Sequence, residues 1–189
     1  MRARLAPVAQ HIVLLRGINI GSRNRIAMPK LRDALAAAGF DDVRTYLQSG
    51  NVVLGSGAKA EDVARKVGRV IAKEFGLDIA IVTRTRAQVA KVVELNPLGK
   101  VAKNPKRYQV SFLAAKPSRD VVRRVEEAAA PRERVVVHGR EIYAWHPEGV
   151  ARSRLWALLA GQSLGVTATA RNWTTVEQLL VLADARAPS

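Results

Sequence analysis

The order in which strand-like and helix-like segments alternate constrains the fold of this chain most. Short apolar runs predict strands, and apolar residues three and four apart predict amphipathic helices. The first 84 residues read strand, helix, strand, strand, helix, strand, over 11–16, 28–39, 43–47, 51–54, 60–75 and 78–83. This is the order of a ferredoxin-like unit, an α+β fold whose antiparallel sheet has the strand order 4-1-3-2.

The same order returns in the second half of the chain. Strands are predicted at 108–114, 134–138, 141–145 and 166–170, with one helix capped by Ser118 and another at 154–160. A terminal helix is predicted to start at Thr174, with Glu177 completing a capping box. We therefore expect two tandem ferredoxin-like units with antiparallel sheets, over 1–84 and 107–189, with a linking helix and loop at 85–106.

Strand direction brings two polar segments of the first unit together. The first and second strands run in the same direction, so the loop after the first strand and the turn after the second lie at one end of the sheet. The first and third strands are central neighbours. Arg16 and Gly17, which leave the first strand, are therefore expected beside Asn51, which enters the third.

The residue types at this end are suited to an anion. Glycines permit unusual backbone angles, amides donate and accept hydrogen bonds, arginines carry positive charge, and the next helix begins close by. The alternative is that the glycines only shape turns and the asparagines satisfy backbone groups. The predicted ligand-binding residues are Arg16, Gly17, Asn19, Gly21, Arg25, Gln48, Ser49, Gly50 and Asn51.

A second polar cluster is predicted in the second unit. The loop at 146–154 and the end of the last strand lie at the same end of that sheet. The functional interpretation is a second anion or partner site, and the alternative is a capped helix with solvated arginines. The residues assigned to this second site are Arg152, Ser153, Arg171 and Asn172.

Composition excludes several classes of chemistry. The chain has no cysteine, and its histidines, His11, His138 and His146, lack metal-ligand spacing, so we expect no metal site and no cofactor. Residues 1–10 are basic but precede no signal-type apolar core, and no apolar run is long enough for a membrane span, so we expect a soluble cytoplasmic protein. The net charge of +15 favours phosphate-rich partners, although it also fits a composition rich in arginine.

No catalytic constellation is recognisable, and three functions stay open. The leading interpretation is a binding protein for a phosphate-bearing ligand, a nucleotide or a nucleic-acid backbone. The second is a small-molecule enzyme that uses the same polar pocket, with asparagine, glutamine and arginine as electrostatic stabilisers. The third is self-assembly through exposed sheet edges.

Three motifs resemble a bacterial family known as domain of unknown function 1697. They are LLRGINIG at 14–21, TYLQSGNVV at 45–53 and ARNWTTV at 170–176. The resemblance spans nearly the whole chain and implies two ferredoxin-like units in tandem, in agreement with the order of strands and helices. The family has no established biochemical role, so the resemblance supports the predicted fold and does not indicate a reaction or a ligand.

Overall fold

The computed structural model describes residues 8–185, which form two compact units. The first unit takes residues 8–90 together with 179–185, and the second is Lys91–Gln178. The predicted division placed everything from 107 onward in the second unit, whereas here the last residues belong with the first. Arg44 ties them there, donating to the carbonyls of Leu182 and Ala185. The predicted ends of the units, at 1–7 and 186–189, lie outside the described residues.

The first unit has the predicted ferredoxin-like topology. Its sheet is antiparallel with the order β2-β3-β1-β4, which is the expected 4-1-3-2 arrangement. The helix that follows β4 continues into the second unit. The elements are β1 (Ala9–Leu15), α1 (Met28–Ala37), β2 (Asp41–Tyr46), β3 (Asn51–Ser56), α2 (Ala60–Phe75), β4 (Ile81–Thr85) and α3 (Arg86–Leu95).

The core of the first unit lies between the sheet and helices α1 and α2. In α2 the apolar side chains follow one another at four-residue spacing, so they share the face that is turned to the sheet. Each such fully buried aliphatic side chain stabilises the fold by about 1.5–3 kcal/mol. The strands contribute Val13, Leu15, Val52 and Leu54, and the helices contribute Leu31, Leu35, Val63, Val67 and Ile71.

The second unit repeats this topology, as predicted. Its sheet order is β6-β7-β5-β8, and every strand pair is antiparallel. The predicted two-residue turn at Gly139 and Arg140 joins β6 to β7. The elements are β5 (Tyr108–Leu113), α4 (Arg119–Ala128), β6 (Arg134–His138), β7 (Glu141–Trp145), α5 (Arg154–Ala160), β8 (Ala168–Asn172) and α6 (Trp173–Asp184).

The last strand and the last helix differ from the prediction. Strand β8 starts and ends two residues later than expected, because its ladder with β5 pairs Leu113 with Ala168 and Gln109 with Asn172. The cap of α6 is Asn172, whose Oδ1 accepts from the Thr175 N–H at 2.9 Å. Helix α6 begins at Trp173, so the predicted capping box at Thr174 was wrong.

The turn between β2 and β3 is longer than predicted. Strand β2 ends at Tyr46, so four residues connect the strands, and Leu47 adopts a left-handed conformation with φ +57°. The turn closes onto β1, because the Leu15 N–H donates to the Gly50 carbonyl at 2.8 Å. This contact leaves no space for a side chain at Gly50, which also has a left-handed φ of +82°.

We expect Gly50→Ala to destabilise the fold far more than Gly21→Ala. An added Cβ at Gly50 would lie 2.7 Å from Leu15 Cβ and 3.0 Å from Ile18 Cδ1, whereas Gly21, also left-handed, has open space around it. Left-handed backbone alone costs about 1–2 kcal/mol, and overpacking adds about 1–3 kcal/mol at Gly50. Urea denaturation of the two variants measures the difference, and equal losses would contradict the packing seen at Gly50.

Candidate functional site

The loop after β1 and the β2–β3 turn meet at one end of the first sheet. Leu14 lies opposite Asn51 in the β1–β3 ladder, and the Asn19 side chain reaches the Gln48 carbonyl at 2.7 Å. The predicted meeting of the two polar segments is therefore confirmed. We call residues 16–30 and 47–51 together the loop–turn surface.

Asn19 holds the two halves of this surface together. Its Nδ2 donates to the Ile26 carbonyl at 2.9 Å and to the Gln48 carbonyl at 2.7 Å, and its Oδ1 accepts from the Ile26 N–H at 2.9 Å. Asn19 has a φ of +53°, in a left-handed region that asparagine visits more readily than most residues. Both of its side-chain N–H donors are occupied, so Asn19 organises the loop. Its predicted contact with a ligand stays a prediction.

A second asparagine reinforces the loop from the inside. Asn24 Nδ2 donates to the Gly17 carbonyl at 3.0 Å, and the Asn24 carbonyl accepts from the Asn19 N–H at 3.0 Å. The loop is thus cross-linked by its own polar groups at several points. Such a loop is ordered before any ligand arrives, which lowers the entropic cost of binding.

Asn51 shapes the turn. It is fully buried, and its Nδ2 donates to the Tyr46 carbonyl and to Ser49 Oγ, each at 3.0 Å. Gly50 is buried as well. The burial of both residues by the neighbouring strand and loop was not visible in the local sequence, and their contact with a ligand stays a prediction. Gln48 is exposed, and its side chain makes no hydrogen bond to another described residue.

Two arginines of the loop–turn surface are free to bind an anion. Arg23 and Arg25 are exposed, and neither forms an ion pair or a side-chain hydrogen bond within residues 8–185. Arg16, at the start of the same loop, is half-buried. Lys30 is exposed, and its Nζ lies 5.4 Å from the centroid of the Phe75 ring, within range of a cation–π contact.

Helix α1 begins inside the same surface without a cap. Its N-cap residue is Ala27, which offers no side-chain acceptor, and the first turn holds no acidic residue. Proline occupies one of the first two helical positions. The N–H groups of Met28 and Lys30 therefore have no partner in the described chain, and they carry the partial positive charge of a helix N-terminus.

The loop–turn surface also exposes two large apolar side chains. Ile20 is 69% exposed and Leu47 is 56% exposed. The backbone of Leu47 has a left-handed conformation, which costs a residue with a bulky side chain about 1–3 kcal/mol. The surface therefore combines unpaired cations with apolar contact area.

A separate cleft of about 560 Å³ lies in the second unit, at the end of the sheet opposite its β6–β7 turn. It takes in two residues of the predicted second site, Arg152 and Ser153. The other residues that line it include Pro131, Arg132, Glu133, Pro147 and Glu148.

A buried polar cluster underlies this cleft. His146 Nδ1 lies 2.7 Å from Glu133 Oε1 and 3.3 Å from Ser153 Oγ. Ser153 Oγ also accepts from the Trp156 N–H at 2.9 Å and so caps α5, while Glu133 Oε2 accepts from the Ala130 N–H at 2.9 Å. Serine and carboxylate share one ring nitrogen, which is not the geometry of a catalytic triad. The cluster is a structural support for the loops.

Hydrogen bonding sets the charge state of Glu133. Burial alone would raise the pKa of this carboxyl, but hydrogen bonds from Ser153, the Ala130 N–H and the His146 ring outweigh that effect. The pKa of Glu133 therefore lies below its ordinary value of 4.5. The ionised form stabilises the folded state.

The other two residues of the predicted second site do not line the cleft. Arg171 is buried within β8, where it donates to Thr169 Oγ1 and to the Ala170 carbonyl, each at 2.8 Å. Burial lowers the pKa of Arg171 to about 10. Asn172 serves as the cap of α6.

Sequence reasoning missed the pairing of Glu133 with His146. One signal was available: the loop before β6 and the loop after β7 must lie at the same end of the sheet.

Neither a metal centre nor a membrane helix is found in the described chain. Within residues 8–185, no three or more acidic or histidine side chains are grouped so that they could hold a metal ion. In the same range, every helix is too short or too polar to cross a bilayer.

We expect Glu133→Gln to destabilise the protein by about 1–3 kcal/mol near pH 7, because it weakens a buried hydrogen-bond cluster. Since folding lowers the pKa of Glu133, the contribution of its carboxylate to stability is complete above pH 4.5. This contribution is lost as the pH falls through the pKa of the folded state. The difference in the free energy of unfolding between wild type and variant should therefore narrow in acid, as measured by urea denaturation across this pH range. Glu148→Gln, in an exposed pair with Arg132, is the control and should change little. A gap that does not depend on pH would contradict this role.

Comparison with known proteins agrees with this architecture. The chain resembles the conserved bacterial protein SP0830 from Streptococcus pneumoniae, whose solved structure superposes with a TM-score of 0.78 at 20% sequence identity, covering 94% of this chain and 99% of that one. This likeness concerns the fold alone. No curated protein matches the chain. The model of the family described as "Protein of unknown function (DUF1697)" matches residues 8–143, and the chain belongs to that family.

Proposed function

We propose that the loop–turn surface binds a phosphate-bearing ligand, either a nucleotide or a nucleic-acid backbone. One observation carries the proposal: Arg23 and Arg25 stand exposed and unpaired, within the described chain, on a loop that Asn19 holds in place. Unpaired guanidinium groups match the geometry of phosphate oxygens. The uncapped start of α1 adds the partial positive charge of a helix N-terminus to the same surface.

The apolar side chains of the surface favour a ligand that carries bases as well as phosphate. Ile20 and Leu47 offer apolar area next to the arginines, and a nucleobase offers a complementary flat face. The net charge of +15 would raise the rate of encounter with any polyanion. We place this activity in the cytoplasm, where nucleotides and nucleic acids are abundant.

The position of the amides favours binding over catalysis. An enzyme using this site would need Asn19 and Asn51 to face one cavity together with Arg16. Asn51 is instead fully buried, and both side-chain N–H donors of Asn19 are engaged within the loop. The groups left for a ligand are mainly cationic or apolar, together with the Gln48 amide and the Ser22 hydroxyl.

We expect the double variant Arg23→Ala/Arg25→Ala to bind a labelled single-stranded oligonucleotide about 10–100-fold more weakly than wild type at low salt. Each lost phosphate contact should also flatten the dependence of log K on log salt by about 0.7. Fluorescence anisotropy at several salt concentrations measures both quantities. Inorganic phosphate and mononucleotides, added as competitors, show whether phosphate alone or the complete nucleotide is recognised.

The control for this experiment is Lys59→Ala/Arg69→Ala, which removes the same charge from exposed positions outside the loop–turn surface. It should reduce affinity by less than about threefold, because it weakens only the general attraction between the positive chain and the oligonucleotide. Equal losses in the two double variants would show that net charge alone attracts the oligonucleotide. Binding that does not depend on salt would also contradict the proposal.

A further inference from the structure

The outer edge of β6 is unlike the other sheet edges of the described chain. β6 reads Arg-Val-Val-Val-His over Arg134–His138 and forms a ladder only with β7. That ladder is regular from Arg134 to His138, without a bulge. Its three valines are partly exposed. The interior of the strand thus carries neither a charge nor a kink.

The other three edge strands contain features that discourage pairing. Strand β2 is interrupted by a register shift between Asp41 and Arg44, and Asp42 there has a φ of +45° and pairs with Arg44 at 2.8 Å. Strands β4 and β8 each carry a buried arginine, Arg84 and Arg171. Bulges and inward-pointing charges are the usual means by which proteins block edge-to-edge association. β6 lacks both.

The backbone of β6 presents a regular set of unused hydrogen-bonding groups. The two-residue turn makes His138 and Glu141 a hydrogen-bonded pair, and bonded pairs alternate along an antiparallel ladder. The N–H and C=O groups of Val135 and Val137 therefore point away from β7. Neither residue has another backbone partner within residues 8–185.

We propose that β6 pairs with β6 of a second copy of this chain, antiparallel about a twofold axis at Val136. In that register Val135 of one copy lies opposite Val137 of the other, and the two bonded pairs supply about four backbone hydrogen bonds. The strand is already extended, so neither copy loses further backbone entropy on pairing. The segment is thus complementary to itself, as an isologous interface requires.

The arginine at the start of β6 does not oppose this pairing. The Arg134 guanidinium is folded back onto its own loop, where it donates to the carbonyls of Pro131 at 2.8 Å and Glu133 at 2.7 Å. The proposed register places it near His138 of the second copy, and so away from the second copy's own Arg134. No like-charged pair of permanently ionised groups faces across the axis.

The dimer should be weak and should strengthen with salt. A single pair of five-residue strands buries less surface than a standard interface, which corresponds to a dissociation constant in the micromolar range or weaker. Two chains of net charge +15 repel each other, and added salt screens that repulsion. This is opposite to the salt dependence expected for binding of a nucleic acid, so the two processes are separable.

Sedimentation velocity on the full chain at increasing concentration, at low and at high salt, tests the proposal. Wild type should dimerise more at high salt. Val136→Lys places two ammonium groups together on the axis and should raise the dissociation constant more than about tenfold. Val135→Pro removes an N–H that points away from β7, so it should block pairing while the β6–β7 ladder is kept.

The control is Val181→Lys, which adds the same charge at a valine that is 59% exposed on α6 and should leave the dimer intact. Circular dichroism confirms which variants are folded, and loss of the dimer in both folded β6 variants supports the proposal. A wild-type chain that stays monomeric at every concentration and salt overturns it, even if the edge accepts an unrelated strand peptide. A dimer that survives both β6 substitutions also overturns it, because another surface then joins the copies.

Discussion

The side-chain amide of Asn19 is the interaction on which the loop–turn surface depends. It pairs with both backbone groups of Ile26 and reaches across to the Gln48 carbonyl. At the same end of the sheet, the Leu15 N–H donates to the Gly50 carbonyl, so β1 and the β2–β3 turn are also joined through the backbone. Because one amide fixes three backbone groups, the side chains on either side of it have defined positions in the absence of a ligand.

This arrangement separates the groups that build the surface from the groups that are free to use it. The asparagines are occupied by backbone partners, and Asn51 is buried altogether. The exposed groups include the charged side chains of Arg23, Arg25 and Lys30, the Gln48 amide, and the apolar side chains of Ile20 and Leu47. The second unit follows the same division: Glu133 and His146 are buried where they support the loops, while Arg152 lies in the cleft above them.

The topology could be predicted from the sequence because the periodicity of strands and helices is a local property. The direction of each strand then follows from the order of these elements along the chain. The sequence was not sufficient for the register of β8, which is set by pairing with β5 and shifts Arg171 into the sheet. For Asn51 the sequence left two roles open, ligand contact or support of the turn, and only its packed neighbours show that it is buried and bonded to the Tyr46 carbonyl. Likewise, the contact between Glu133 and His146 depends on side-chain conformations in two loops that no local pattern encodes.

NMR of the Asn19 side-chain amide tests the central claim most directly. If Asn19 joins the loop to the turn, its two Nδ2 protons exchange slowly with water and show nuclear Overhauser contacts to residues on both sides, Ile26 and Gln48. Protons that exchange as fast as those of a solvated asparagine, with contacts confined to the loop, would show that the two segments are not held together and would remove the basis for a preorganised site.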